Sequence, residues 1–171
     1  CLVFPFVLLV VFILTECTMP GKLFFVQKRT GLNGKTFKCY KFRSMRQNPD
    51  SEKRQATKGD DRVTRWGYIM RKTSLDETPQ FINVLMGDMS IVGPRPERVE
   101  HVEEYERLIP EFGFRLKVKG GLTGYAQIYG KYNTSPYDKL RMDLMYVENY
   151  SFFNDLKLIL MTLRILMKKE S

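Results

Sequence analysis

Asp76 and Glu77 stand side by side, just after Arg71-Lys72-Thr73. Two adjacent carboxylates among lysines and arginines suit a divalent cation that bridges a diphosphate. A carboxylate at a helix N-terminus is also held ionised, and can then act as a nucleophile or a metal ligand. The same residues fit a purely structural role. Ser74 and Glu77 have the spacing of a capping box, and acidic side chains in a first turn answer the helix dipole. Phe81, Ile82, Val84 and Leu85 follow at helical spacing, so the segment from Ser74 predicts a capped amphipathic helix, ended by Gly87-Asp88. Pro79 is tolerable only near a helix start and allows the true N-cap to lie a residue or two after Ser74.

A second chemical feature is Gly93-Pro94-Arg95-Pro96. Two prolines fix the backbone around one guanidinium, which makes a preorganised fork for phosphate oxygens, or simply a rigid turn that contains an arginine. Gly120-Gly121-Leu122-Thr123-Gly124 lets backbone N–H groups approach a nucleotide, but it matches neither GxGxxG nor the Walker pattern, and a plain turn reads equally well. Other chemistries find little support. Cys1, Cys17 and Cys39 lack metal-ligand or CxxC spacing, and their odd number argues against a disulfide framework and for a reducing setting. His101 is the single histidine and sits in the acidic stretch Glu97 to Glu106, so any His-dependent nucleophile would rest on what reads as a solvated surface residue.

The elements that must position these residues follow from periodicity and breakers. Leu23 to Val26 and Thr36 to Phe42 are aromatic-rich runs around Gly31-Leu32-Asn33-Gly34, a hairpin signal. Alternation places Lys41 and Arg43 on one face of the second strand and Tyr40 and Phe42 on the other. Gln47 to Asp61 is polar and reads as an exposed loop, and Trp66 to Met70 as a short helix. Ser90 to Val92 is an apolar strand entering the Pro94–Pro96 turn, and Glu97 to Leu108 reads as an acidic helix. Tyr125 to Tyr129 reads as a short strand after the glycine-rich loop. Phe152 to Lys169 is an amphipathic helix with Phe152, Phe153, Leu156, Ile159, Leu160, Leu163 and Leu166 on one side, suited to a core or to a membrane interface.

The chain has 171 residues, 43% of them hydrophobic, and a formal net charge of +9, enough for one compact domain that favours an anionic partner. Between Lys22 and Lys72 there are fifteen basic and four acidic residues, an excess larger than that of the whole chain. It follows the apolar run Leu2 to Leu14, broken only by Pro5. As a helix this run measures about 20 Å against the ~30 Å hydrocarbon core, so it reads as the tail of a truncated spanning helix, as a segment that enters and leaves by one face, or as a buried core helix. Basic charge after a membrane segment favours the cytoplasmic side and attraction to anionic headgroups.

Taken in order, Lys41-Phe42-Arg43-Ser44-Met45, Arg71 to Gln80, Gly87 to Glu97, Gly121 to Gln127 and the closing region Tyr146 to Leu160 resemble the bacterial sugar transferase family, the monotopic phosphoglycosyl transferases that start glycan assembly. The resemblance runs over nearly the whole chain from Pro20 onward. It implies an α+β (mixed α/β) fold with a small β-hairpin and several amphipathic helices at the membrane interface. Residues 1–19 would be a truncated re-entrant membrane helix turned back at Pro5, and residues 20–171 a cytosolic catalytic domain at the inner face of a bacterial cell membrane. The implied reaction moves sugar-1-phosphate from a UDP-sugar, a hexose such as glucose or galactose, to polyprenol (undecaprenyl) phosphate. Asp76 would be the nucleophile, Glu77 its partner in acceptor positioning or in holding Mg²⁺, with both carboxylates as metal ligands. Lys41, Arg43, Arg71 and Arg95 would balance phosphate charge, and Gln127 would touch the nucleotide. Phe4 stands where the family commonly has Ser, and Gly120 where many members have Pro.

Two other classes of function remain as contrasts. A basic module for nucleic acid or anionic lipid accords with the charge, but the aromatics follow strand spacing without a nucleic-acid-binding motif, so no nucleic acid partner is expected. A catalytically silent membrane scaffold would not need Asp76-Glu77.

Overall fold

The structure, a computed structural model, describes residues 3–46, 60–130 and 134–169. It is a mixed α+β fold in which helices dominate and the strands form two small sheets. The chain divides into two compact units. The first comprises Cys1–Phe25 and Tyr40–Pro79, and the second Val26–Cys39 and Gln80–Ser171.

In the first unit, helix α1 (Val3–Thr18) runs unbroken through Pro5. Pro5 lies at the described start of this helix, and residues 3–18 are helical on both sides of it. Among the described residues no helix is long and apolar enough to cross a membrane. Val11 and Met19 pack with Phe42 and Met70, and Leu23, Trp66 and Leu75 close over them. Trp66 Nε1 donates to the buried Thr15 Oγ1 at 3.2 Å, which ties α1 to α2 (Arg65–Lys72).

The hairpin of β1 (Phe24–Thr30) and β2 (Thr36–Phe42) turns through Leu32–Gly34, with Asn33 at φ 53° and Gly34 at φ 77°. These left-handed values are the ones Asn-Gly supplies at least cost, so the turn reads directly from the sequence. Most of the polar loop expected over Gln47 to Asp61 lies outside the described residues; at its end Asp60 accepts from Arg62 Nη2 at 2.6 Å.

The expected capped helix from Ser74 is instead two elements. A 3₁₀ turn covers Leu75–Glu77, and α3 (Gln80–Leu85) begins just after Pro79. Ser74 is left-handed, at φ 59°, and its side chain makes no cap bond. Proline cannot donate to an earlier carbonyl and disfavours helical geometry in the residue before it, so a helix cannot run through from Ser74.

In the second unit, β3 (Ser90–Val92) pairs in parallel with β4 (Gly121–Thr123), Ser90 opposite Gly121 and Val92 opposite Thr123. The strand therefore lies in the glycine-rich segment itself, and Tyr125–Tyr129, expected as a strand, is helix α5. A Cβ on Gly121 would stand 2.1 Å from the Gly93 nitrogen, so glycine here serves close backbone approach. Helix α4 (Val99–Leu108) leads into a 3₁₀ segment, Pro110–Lys117. Val102 and Phe112 pack there with Leu140 of α6 (Pro136–Glu148), a helix absent from the sequence reading. Helix α7 (Phe152–Lys169) packs Leu158 against Val92 and Tyr146, each nearly inaccessible to solvent. Full burial of such side chains contributes about 1.5–3 kcal/mol apiece. His101 is half-buried on α4, where it stacks on Tyr105 at 5.9 Å.

Candidate active site

The first unit assembles its chemistry around the 3₁₀ turn. Helix α2 lies directly on the backbone that leaves β2, because a Cβ on Gly67 would fall 2.0 Å from the Ser44 carbonyl oxygen. Thr64 caps this helix by accepting from the Gly67 N–H at 3.0 Å. The last turn of α2 carries Arg71, whose Nε donates to Ser44 Oγ at 2.9 Å and whose Nη2 lies 2.9 Å from Met45 Sδ. Ser74 then turns the chain so that Asp76 and Glu77 follow on the 3₁₀ turn. From β2, Lys41 Nζ reaches Glu77 Oε1 at 2.7 Å.

Asp76 is 9% exposed, and among the described residues no side chain bonds its carboxylate. Burial pushes its pKa above the usual carboxylate range, and the neighbouring Glu77 charge pushes it further. Lys41, Arg71 and a hydrogen bond from its own backbone N–H pull it back. The helix N-terminus that should hold it ionised is missing, because the continuous helix from Ser74 does not form. Its carboxylate is thus largely withdrawn from solvent, with cations close by that are bonded to other groups. Such a carboxylate is suited to attack an electrophile held by those cations.

Among the described residues no group of three or more His, Cys, Asp or Glu side chains gathers as a metal site. Asp76 and Glu77 do supply two hard oxygen donors whose charges repel each other. That is the donor set by which Mg²⁺ is held through one or two carboxylates, with substrate phosphates and water completing its shell.

The remaining candidates occupy other surroundings. Arg43 belongs to the first unit but is buried past the end of β2. Its guanidinium donates to the carbonyl of Met19 and lies 3.5 Å from that of Pro20, with Glu16 at 3.9 Å, so it clasps the C-terminal end of α1. Arg95 and Gln127 belong to the second unit. The Arg95 carbonyl accepts from Arg115 Nη2 at 2.8 Å. Both polar atoms of the Gln127 amide are buried without a bonding partner among the described residues.

The family model described as "Bacterial sugar transferase" matches residues 1–169. The chain belongs to the bacterial sugar transferase family. It is 46% identical over 153 residues to the UDP-glucose:undecaprenyl-phosphate glucose-1-phosphate transferase of Escherichia coli K12, which covers 86% of this chain and 33% of that relative. Identity to the Klebsiella pneumoniae protein of the same name is 46% over 162 residues, 91% of this chain and 35% of the relative. A UDP-N-acetylgalactosamine-undecaprenyl-phosphate N-acetylgalactosaminephosphotransferase from Aeromonas hydrophila is 40% identical over 159 residues, 91% of this chain and 38% of its own length. The chain thus spans about a third of the length of these relatives.

In this sugar transferase the sequence reading missed a buried ion pair. Arg115 Nε and Nη2 lie 2.8 and 2.7 Å from Asp143 Oδ2, with both side chains almost wholly buried. The signal was a charged residue on an apolar helix face, since Asp143 follows Leu140 by three positions and precedes Leu144 by one, residues of the same core.

Proposed function

We propose that this sugar transferase moves sugar-1-phosphate from a UDP-hexose to undecaprenyl phosphate through a covalent intermediate on Asp76. The observation that carries the reading is the buried Asp76 carboxylate, which no side chain among the described residues bonds, beside Lys41, Arg71 and Glu77. An oxygen of Asp76 attacks the β-phosphorus, the bond from that phosphorus to the bridging oxygen breaks, and UMP leaves with the electron pair. A phosphate oxygen of the acceptor then attacks the same phosphorus and the Asp76 carboxylate departs, giving the polyprenol-diphosphate sugar. Splitting the transfer in this way implies ping-pong kinetics. Lys41 and Arg71 balance phosphate charge as it shifts toward the leaving group, and Arg95 is assigned the same task. Arg43, engaged with α1, supports this set from below by fixing the end of β2. Gln127, with its buried amide unanswered, is assigned to the nucleotide. Asp76 and Glu77 would hold Mg²⁺, which when bound supplies positive charge to the diphosphate.

We place the reaction at the cytoplasmic face of the bacterial cell membrane. Within the first unit α1 exposes Leu9, Phe12 and Ile13, and within the second α7 exposes Phe152, Phe153 and Leu160. Apolar side chains of this kind, next to a basic segment, suit an anionic lipid surface.

The test is the intact mass of the protein after incubation with Mg²⁺ and a panel of UDP-sugars, without lipid acceptor. The expected result is a sugar-phosphate adduct and stoichiometric UMP, both lost in Asp76→Asn. An adduct that persists in Asp76→Asn would remove Asp76 as nucleophile.

A further inference from the structure

We propose that the buried Arg115–Asp143 pair is a positioning element that fixes the backbone at Arg95 and so aims the Arg95 side chain; this rests on the transferase reading above. From Pro94 to Glu97 the turn is anchored at each successive carbonyl. Pro94 O accepts from Gly121 N–H at 2.9 Å, Arg95 O from Arg115 Nη2 at 2.8 Å, Pro96 O from the Arg29 guanidinium, and Glu97 O from Thr30 N–H at 3.0 Å. Gly93 N–H in turn donates to Thr123 O at 2.8 Å. The prolines at 94 and 96 have fixed φ, and a residue that precedes proline is confined to extended geometry. The soft variables left at the centre of the turn are ψ of Pro94 and φ of Arg95, and the bonds to the Pro94 and Arg95 carbonyls on either side hold them.

The group that makes this bond is a poor choice for stability alone. Arg115 and Asp143 side chains are 3% and 1% exposed, and Asp143 Oδ1 is buried with no bonding partner among the described residues. A buried ion pair with an unanswered oxygen gives the fold less than apolar side chains of the same volume would. Its distinctive product is geometric. Asp143 holds one edge of the guanidinium, the Phe112 ring lies 5.0 Å from its Cζ, and Nη2 is thereby directed at the Arg95 carbonyl. The planar fork makes both contacts at once, which a lysine at 115 does not.

The test uses the whole chain with UDP-sugar, Mg²⁺ and undecaprenyl phosphate. Arg115→Met combined with Asp143→Leu removes both charges and keeps the volume, so the variant should melt no lower than the parent. It should lose kcat by on the order of a hundredfold, the scale of a misaimed catalytic group, with KM for the donor little changed. In an Arg95→Ala background the same double replacement should cost nothing further, and Gly121 N–H should exchange faster with solvent deuterium wherever the pair is gone. A folded double variant with parental kcat, or losses that multiply in full with Arg95→Ala, overturns the proposal. Should the double variant fail to fold, Arg115→Lys replaces it, with the same fall in kcat expected and parental kcat again overturning the idea. Asp76→Asn run alongside separates the two hypotheses. Full turnover in it removes the transferase mechanism, whereas its inactivity beside an unimpaired pair variant removes the positioning role alone.

Discussion

Asp76 in the first unit and Asp143 in the second are both buried, and the two are treated in opposite ways. Asp143 in the second unit is 1% exposed, and Arg115 meets it with two nitrogens on one oxygen. Asp76 in the first is 9% exposed, yet its nearest cations are bonded elsewhere, Lys41 to Glu77 and Arg71 to Ser44 and Met45. Burial raises the pKa of both. At Asp143 the next influences are the charge and hydrogen bonds of Arg115, which lower it; at Asp76 the next is Glu77, which raises it further. One carboxylate is neutralised in place and holds structure. The other is left under-compensated, as a group must be if a phosphate is to recruit the same cations.

The sharpest break in this contrast is in turnover. Asp76→Asn should cut UMP release by a factor on the order of 10⁴ or more, the scale on which loss of a nucleophile acts. The counterpart in the second unit should show in stability. Asp143→Ala leaves Arg115 buried and unpaired and should cost about 3–5 kcal/mol in urea unfolding. A loss under about 1 kcal/mol would mean that the pair is hydrated and the contrast is misdrawn.

A smaller effect carries a sign. Because the folded state raises the pKa of Asp76, its charge works against folding. Stability linked to this group is present below its unfolded pKa and is lost as pH rises through the higher folded value. Asp76→Asn should therefore melt above the parent at neutral pH, by on the order of a few degrees, and the gap should close as pH falls through the folded pKa. Thermal melts at a series of pH values check this, and a variant that melts lower at neutral pH would show Asp76 to be well compensated.

Much of this was legible in the sequence. The Asn33-Gly34 turn, the Ser90–Val92 strand and the Phe152–Lys169 helix are local signals, each fixed by backbone preference or by one periodic face. Three features were not. The Ser74/Glu77 spacing imitates a capping box, but Pro79 divides the segment and starts the helix after itself. The glycines at 120–124 look like a loop because glycine is the same letter whether it frees a turn or admits a neighbouring strand; Gly93, which meets Gly121 from far back in the sequence, decides between them. Arg115 and Asp143 are 28 residues apart, and nothing local pairs them. Of the proposed site, the sequence supplied the residue types at Asp76, Glu77, Lys41 and Arg71, while their spacing in three dimensions came only from the fold of the first unit. Arg43 shows the limit of period-2 reasoning. It follows the last residue of β2, so alternation with Lys41 no longer governs where its side chain goes.

The smallest effect tests why Asp76 is under-compensated at all. Had Ser74 capped a helix, its hydroxyl would accept a backbone N–H, and Ser74→Gly and Ser74→Ala would both destabilise, Ala by about 0.5–2 kcal/mol and Gly by a few tenths. At φ 59° and without a cap bond the order changes. A left-handed residue with a Cβ carries roughly 1–2 kcal/mol of strain that glycine relieves, while glycine's extra freedom in the unfolded chain returns about 0.4–1 kcal/mol of it. Ser74→Gly should then be at least as stable as the parent, with Ser74→Ala no better than the parent. The turn would be held in its strained form by what surrounds it, a common state for a catalytic loop. Asp143 sits in the regular helix α6 and has no such sensitivity at its neighbours. Urea titrations in which Ser74→Gly falls below the parent would return the turn to a capped helix start, and with it the dipole that would hold Asp76 charged.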